Sequence, residues 1–453
     1  MLTIIMIAVF VVGYVLIALE NRTRINKAAI ALIMCGAMWT IFMLFGRTID
    51  PSFGPDAVNG DVWNALASTC EILVFLICAM TIVSLIDLNG GFDFMTRRIT
   101  TRNKVKLVWI IALITFFLSA ILDNLTTTIV MIMLMRKLLA NYKERWIFAG
   151  LIIIAANAGG AWSPIGDVTT IMLWVRGNIT AWGLISTLFL PSLVSIVVPC
   201  LFCARILRGI TTSPGYRDEP STEKHYITGR ESLIILLLGV AMMLMIPVFK
   251  ALTGLPPYLG MVIALGVMWM VTEIMYKHHP DIPSEDQYRV SKIIHDIDMT
   301  TILFFLGILM SVSVLDSAGV LGGFAAFLDG SAHNIYLMNT LIGLMSAVVD
   351  NVPLVAASIG MYPIADAAAV AASADPAYAG YFVQDGAFWT LLAFCAGRGG
   401  SLLIIGSAAG VVAMGLEKIN FGWYLRNFTL MALVGYVAGI AVFIAEMVLA
   451  GSF

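Results

Sequence analysis

Long apolar runs alternate with short polar connections along the whole chain. Runs of bilayer-crossing length, about 17–25 residues, lie near 2–20, 28–46, 63–86, 147–175 and 182–207. They recur near 231–249, 258–276, 299–316, 387–416 and 423–449. Two stretches depart from this pattern. Residues 107–140 form two short apolar arms that meet at Asp123-Asn124, and residues 335–364 form two more that meet at Asp350-Asn351. Arms this short predict re-entrant hairpins with tips at mid-depth. The runs 147–175 and 387–416 are interrupted by glycines, the first also by Pro164. Each predicts a broken helix. The class expected is an all-α polytopic membrane protein.

The second half repeats the plan of the first. SAILDN at 119–124 matches SAVVDN at 346–351, an offset of 227. ILVFLICAM at 72–80 matches ILFFLGILM at 302–310, an offset of 230, and GGAWSPIG at 159–166 matches GGSLLIIG at 399–406, an offset of 240. Common order and near-constant offset mark an internal repeat: residues 1–208, a polar linker at 209–230, and residues 231–453. Each repeat holds five spans, a hairpin and a broken helix. Five crossings are odd, so the repeats are expected to be inverted, an architecture that places binding sites near the midplane.

Composition agrees with this reading. The 453 residues are 60% hydrophobic and 12% charged, against roughly 25% charged in soluble domains. A net charge of −2 is uninformative until the charges are sorted by loop. Loops at 20–27, 87–106, 140–146, 208–230, 277–297 and 417–422 hold most of the Lys and Arg, whereas the alternate loops hold Arg47, Arg176 and Lys250. The positive-inside rule places the first group in the cytoplasm and both termini outside. The six cysteines lie in apolar segments, and the lone Cys200-x-x-Cys203 lacks a second pair, so ordinary helix packing accounts for it. The five histidines fall in loops and read as solvated. Glu71, several residues inside the third span, reads equally as a proton-path group or as a group near the external mouth.

The chemistry concentrates at 119–170. Asp123 and Asp167 are carboxylates in apolar sequence, each amid residues that loosen a helix and offer oxygen. Asn124, Thr126, Thr127 and Thr128 accompany the first; Asn157, Ser163, Thr169 and Thr170 accompany the second. Helix capping alone would explain Asp at these positions, but a charge at membrane depth is costly and by default functional. Oxygen donors suit a hard cation. Sodium is therefore expected at Asp123, Asn124, Asn157 and Asp167. The second half contributes Ser346, Asp350, Asn351, Arg398, Ser401 and Ser407 to the candidate ion and proton site. There the repeat is asymmetric: Asp167 corresponds to Ser407, and Ala158 to Arg398. Arg398 is expected to pair with Asp350 and to stand where a second cation would sit; the alternative is a structural link to a backbone carbonyl.

The DN-containing hairpin followed by Asn157-Ala158-Gly159-Gly160-Ala161-Trp162-Ser163-Pro164-Ile165-Gly166-Asp167-Val168-Thr169-Thr170 resembles the NhaD-type sodium/proton antiporters of the ion transporter superfamily. The resemblance implies exchange of cytoplasmic sodium or lithium for external protons in a bacterial inner membrane, by a homodimer with elevator-like motion. It implies functional roles for Asp123, Asn124, Asn157, Asp167, Thr169 and Thr170 in the first half, and for Ser346, Asp350 and Asn351 in the second. No cofactor is expected beyond the transported Na+ and H+, and no nucleic-acid partner. The nearest alternative is a sodium-coupled dicarboxylate or arsenite transporter on the same scaffold, but Asp at both tips disfavours an anion. An intramembrane aspartyl protease is remote, since Pro164 stands where a GxGD pattern needs Gly and no Tyr precedes Asp123 or Asp350.

Overall fold

The computed structural model describes residues 2–18, 20–45, 55–91, 99, 101, 103–139, 141–207, 227–280, 282–283, 287–348 and 350–449. Most of the linker expected at 209–230 lies outside the described residues, as do Arg47, Arg97, Arg98, Arg102, Arg217 and Lys224. The described residues form helices joined by turns. Those of the first half are α1 (Leu2–Ala18), α2 (Lys27–Phe45), α3 (Pro55–Leu88), α4 (Lys104–Ser119), α5 (Asn124–Leu138), α6 (Tyr142–Ala161), α7 (Val168–Val175) and α8 (Ala181–Ile206). The second half gives α9 (Gly229–Thr253), α10 (Pro257–Lys277), α11 (Met299–Ser317), α12 (Val320–Ala332), α13 (Ile335–Met345), α14 (Asn351–Met361), α15 (Ala387–Gly399), α16 (Ala408–Glu417) and α17 (Thr429–Leu449). Among the described residues, seven helices are long and apolar enough to cross a membrane. This is a multi-pass membrane protein.

Local sequence accounts for the interruptions. Asp123 caps α5 through the Thr126 N–H, and Asp167 caps α7 through the Thr169 N–H. The expected run at 147–175 divides into α6 and α7, and the run at 387–416 into α15 and α16. Pro164 lies in the first break, where a missing N–H costs no helical bond. Two features exceed the sequence reading. Between the runs 299–316 and 335–364 the chain forms α12, and the third span extends to Pro55.

Helix packing pairs the halves. Contact α1–α2 has its counterpart in α9–α10, and α2–α11 in α10–α3. Likewise α4–α6 matches α13–α15, α5–α6 matches α14–α15, and α5–α16 matches α14–α7. Single atoms repeat the pattern: Ser119 Oγ donates to the Ala156 carbonyl and Ser346 Oγ to the Ala396 carbonyl, both at 2.7 Å. The helix that follows Asp123 and the helix that follows Asp350 thus each pack across to the other half of the chain.

The loops meet in two separate groups. In one, Lys104 pairs with Glu144 at 2.8 Å and His279 with Glu231 at 2.7 Å. Arg136 and Arg145 converge there on the buried Glu417, at 2.6 and 3.0 Å. In the other, Gln384 donates to the Gly177 carbonyl, Asp385 accepts from Thr180, and Arg176 donates to Ser68. Each of these contacts joins segments at the same end of the charge-sorted loop pattern.

Glu417 ties the ends of α5, α6 and α16 together, and Trp146 Nε1 also donates to its carbonyl at 2.9 Å. Glu417→Gln would leave two guanidinium groups without their counter-charge. Because both arginines reach solvent, the expected loss is about 1–3 kcal/mol, below the cost of breaking a fully buried pair. A lower thermal midpoint in detergent is the expected reading; an unchanged midpoint would refute the clamp.

Candidate functional site

Asp167 is 1% exposed and lies at the N-terminal end of α7. Its Oδ1 accepts from the Thr169 N–H at 2.9 Å and from the Thr169 hydroxyl at 2.8 Å. Its Oδ2 accepts from Asn124 Nδ2, at the start of α5, at 2.6 Å. Asn351 Nδ2, at the start of α14, approaches the same carboxylate at 3.3 and 3.5 Å. The starts of α5 and α14 therefore meet at one carboxylate at the start of α7.

A further layer extends from this centre. Asn124 Nδ2 also donates to Asn157 Oδ1 at 3.1 Å, and Asn157 Nδ2 donates to Ser407 Oγ at 3.0 Å. Asn157 is fully buried, at 0% exposure. Thr170 Oγ1 bonds the Asp167 carbonyl at 2.9 Å, and Thr128 Oγ1 the Asn124 carbonyl at 2.7 Å. Ser163 donates to the Ala120 carbonyl, fastening the break to the hairpin turn. The Asp167 carboxylate thus meets a hydroxyl and two amide N–H groups, and the amide oxygen of Asn157 lies one hydrogen bond further out; carboxylate, hydroxyl and amide oxygens are the ligand chemistry of hard cations.

Other candidate residues direct their hydrogen bonds elsewhere than to the Asp167 carboxylate. Asp123 directs its carboxylate to Thr126, accepting from its N–H and its hydroxyl at 2.7 Å each. The Thr127 hydroxyl is buried without a hydrogen-bond partner. Ser346 is engaged with Ala396, as above, and Ser407 caps α16 through the Gly410 N–H.

The expected Arg398–Asp350 pair does not form. Arg398 is fully buried, and its Nε donates to Ser195 Oγ at 3.0 Å, its Nη2 to the Ser195 carbonyl at 3.1 Å, and its Nη1 to Ser401 Oγ. Arg398 is thus the structural link, and hydroxyl and carbonyl oxygens on α8 and at the second break serve its hydrogen-bonding fork. Asp350 instead pairs with Lys27 Nζ at 3.2 Å. Sequence reasoning assigned Lys27 to a loop; its position at the first residue of an apolar run was the available signal. Ser195, the partner of Arg398, carried no signal in the sequence.

Cavities flank the site. One of about 360 Å³ is lined by Tyr14, Lys27, Asp298, Asp350 and Ser407 among others. A second, of about 190 Å³, is lined by Met172, Arg176, Ser313 and Asp316 among others. The first opens among the loops rich in Lys and Arg, the second among the opposite set. Helix α7 bears Asp167 at one end and contributes Met172 to the second cavity.

A family model described as a citrate transporter (CitMHS) matches residues 14–383. Sodium/proton antiporter 2 of Arabidopsis thaliana is 41% identical over 97% of this chain and 99% of its own length. Sodium/proton antiporter 1 of the same plant is 42% identical over 97% of this chain and 72% of its own length. The Na(+)/H(+) antiporter NhaD of Alkalimonas amylolytica is 30% identical over 96% of this chain and 89% of its own length. All are transporters by name, and none is an enzyme. The chain belongs to the CitMHS family and is one of the NhaD-type sodium/proton antiporters.

Proposed function

We propose that this protein is a secondary antiporter that exports cytoplasmic Na+, or Li+, in exchange for external H+. One observation carries the reading: a buried carboxylate, Asp167, surrounded by Asn124, Asn157, Thr169 and Asn351 from both halves. The names of the relatives point the same way. Inverted repeats with two re-entrant hairpins account for the exchanged packing pairs, and both termini then lie outside a bacterial inner membrane. A homodimer with elevator-like motion is the expected assembly.

The mechanism follows from burial. An uncompensated charge inside the protein costs several kcal/mol, so the centre is stable when it holds either a proton or a sodium ion. The two compete for the Asp167 oxygens. Asn157 offers its amide oxygen to the cation, Asn124 holds the carboxylate through its amide N–H, Thr169 orients it, and Asn351 brings the start of α14 to the same point. Asp123, Ser163, Thr126, Thr127, Thr170, Ser346, Ser401 and Ser407 complete the oxygen-rich surroundings proposed for the ion path. Exchange is coupled because the empty, charged centre crosses poorly.

The test uses everted vesicles with a pH-sensitive dye. Sodium and lithium chloride are expected to dissipate the proton gradient, and potassium chloride, succinate and citrate to leave it. Silence toward every alkali cation with a response to an organic anion would replace this reading by sodium-coupled anion transport.

A further inference from the structure

The pair formed by Lys27 and Asp350 has no role in the exchange chemistry described so far. Lys27 opens α2, and its Nζ lies 3.2 Å from Asp350 Oδ2 and 4.4 Å from the centre of the Phe304 ring. The two side chains are 29% and 18% exposed. Both line the larger cavity, together with Tyr14, Glu20 and Asp298. The Glu20 carboxylate is occupied locally, accepting from the Lys27 backbone N–H at 3.0 Å. The Asp298 carboxylate accepts from the Thr300 and Thr301 N–H groups and from the Thr301 hydroxyl. The Lys27 ammonium is therefore directed to the carboxylate that adjoins Asn351, the tip residue on Asp167.

We propose that Lys27 is a tethered cation that occupies Asp350 and thereby sets the sodium affinity of the Asp167 site. This rests on the antiporter reading. A bare carboxylate next to Asn351 would attract a second alkali ion from the cavity and deepen the negative potential at Asp167. The ammonium neutralises it without entering the Asp167 centre. A role of this kind was expected of a basic side chain in the second half, and the structure gives it to Lys27 rather than to Arg398. The two tips differ accordingly. Asp123 is held by Thr126 of its own helix, and α10, the packing counterpart of α2, opens on Pro256-Pro257 with no basic residue in its first turn. Among the described residues, Asp350 pairs with a protein-borne cation and Asp123 with none. Lys27 is a positioning and specificity residue, acting on sodium through charge.

The test measures the half-saturating sodium concentration in everted vesicles for wild type, Lys27→Met, Lys27→Arg and the double variant Lys27→Met with Asp350→Asn. Lys27→Met is expected to lower it about three- to tenfold, the effect of one unit charge acting through a partly solvated medium. Lys27→Arg keeps the wild-type value, and the double variant returns toward it, because the local charge is balanced again. An unmoved or raised value for Lys27→Met overturns the proposal, as does a double variant that keeps the full decrease. Should Lys27→Met fail to transport, the sodium dependence of thermal stabilisation is read on purified Lys27→Met and Lys27→Gln, with the same directions expected. A wild type without any sodium response overturns the antiporter reading and this proposal together. A wild-type response beside an unmoved Lys27→Met overturns this proposal alone.

Discussion

Asp167→Asn is expected to reduce sodium-driven proton exchange to background. Asparagine preserves the shape of the side chain and removes its charge, so the helix break and the cap on α7 survive. What is lost is the anionic ligand, itself the acceptor for Asn124, Asn351 and Thr169. Truncating one member of a buried charge contact costs about 2–5 kcal/mol. At roughly 1.4 kcal/mol per decade, sodium binding weakens by about three-hundredfold at the middle of that range. Two readings check this: dye dequenching in everted vesicles, and sodium-dependent thermal stabilisation of the purified protein. A half-saturation that stays within about threefold of wild type would place the cation elsewhere. The companion Asp123→Asn removes a carboxylate directed at Thr126 and is expected to have the smaller effect on sodium affinity.

Gly166→Val and Gly406→Val are expected to damage the protein equally, although Gly406 lies in the half whose break lacks a carboxylate. A Cβ on Gly166 would fall 2.5 Å from the Ser119 carbonyl oxygen, and one on Gly406 2.6 Å from the Ala347 carbonyl oxygen. The obstructing atoms are backbone at the hairpin turns and have no rotamer to yield. Overpacking usually costs about 1–3 kcal/mol, occasionally more; with backbone as the obstacle, the expected loss is at the top of that range. Each variant should lower the thermal midpoint and the yield of monodisperse protein. Wild-type stability in either would show that the break and the hairpin turn are not held in contact.

Much of this was legible in the sequence, for reasons specific to each residue. Asp167 stood out because a carboxylate beside Pro164 and Gly166 in an apolar run has few structural explanations. The breaks at Trp162–Asp167 and Gly400–Ser407 followed from Gly and Pro, which act locally. Partners did not follow. That Asn351, rather than Asp350, reaches Asp167 depends on the direction of a turn, and the fate of Arg398 depends on Ser195, which is 203 positions away in the chain. Charge in a sequence marks where a partner is needed and leaves its identity to the packing. Lys27 and Glu417 illustrate the same limit: each stands at the edge of an apolar run, where a charge is unremarkable until the opposite half arrives.

The exchange of arms between halves has a consequence for biogenesis. Asn351 is 184 residues beyond Asp167, and Ser407 is 250 beyond Asn157. At a synthesis rate of about 5–20 residues per second, the first-half carboxylate waits roughly 10–40 s for its second tip. During that interval Asn124 and Thr169 are the companions already made, and the face of α5 that will receive α16 is still uncovered. A chain stopped within the linker would hold a finished carboxylate in an unfinished site, recognisable to quality control by the surface it leaves unpaired.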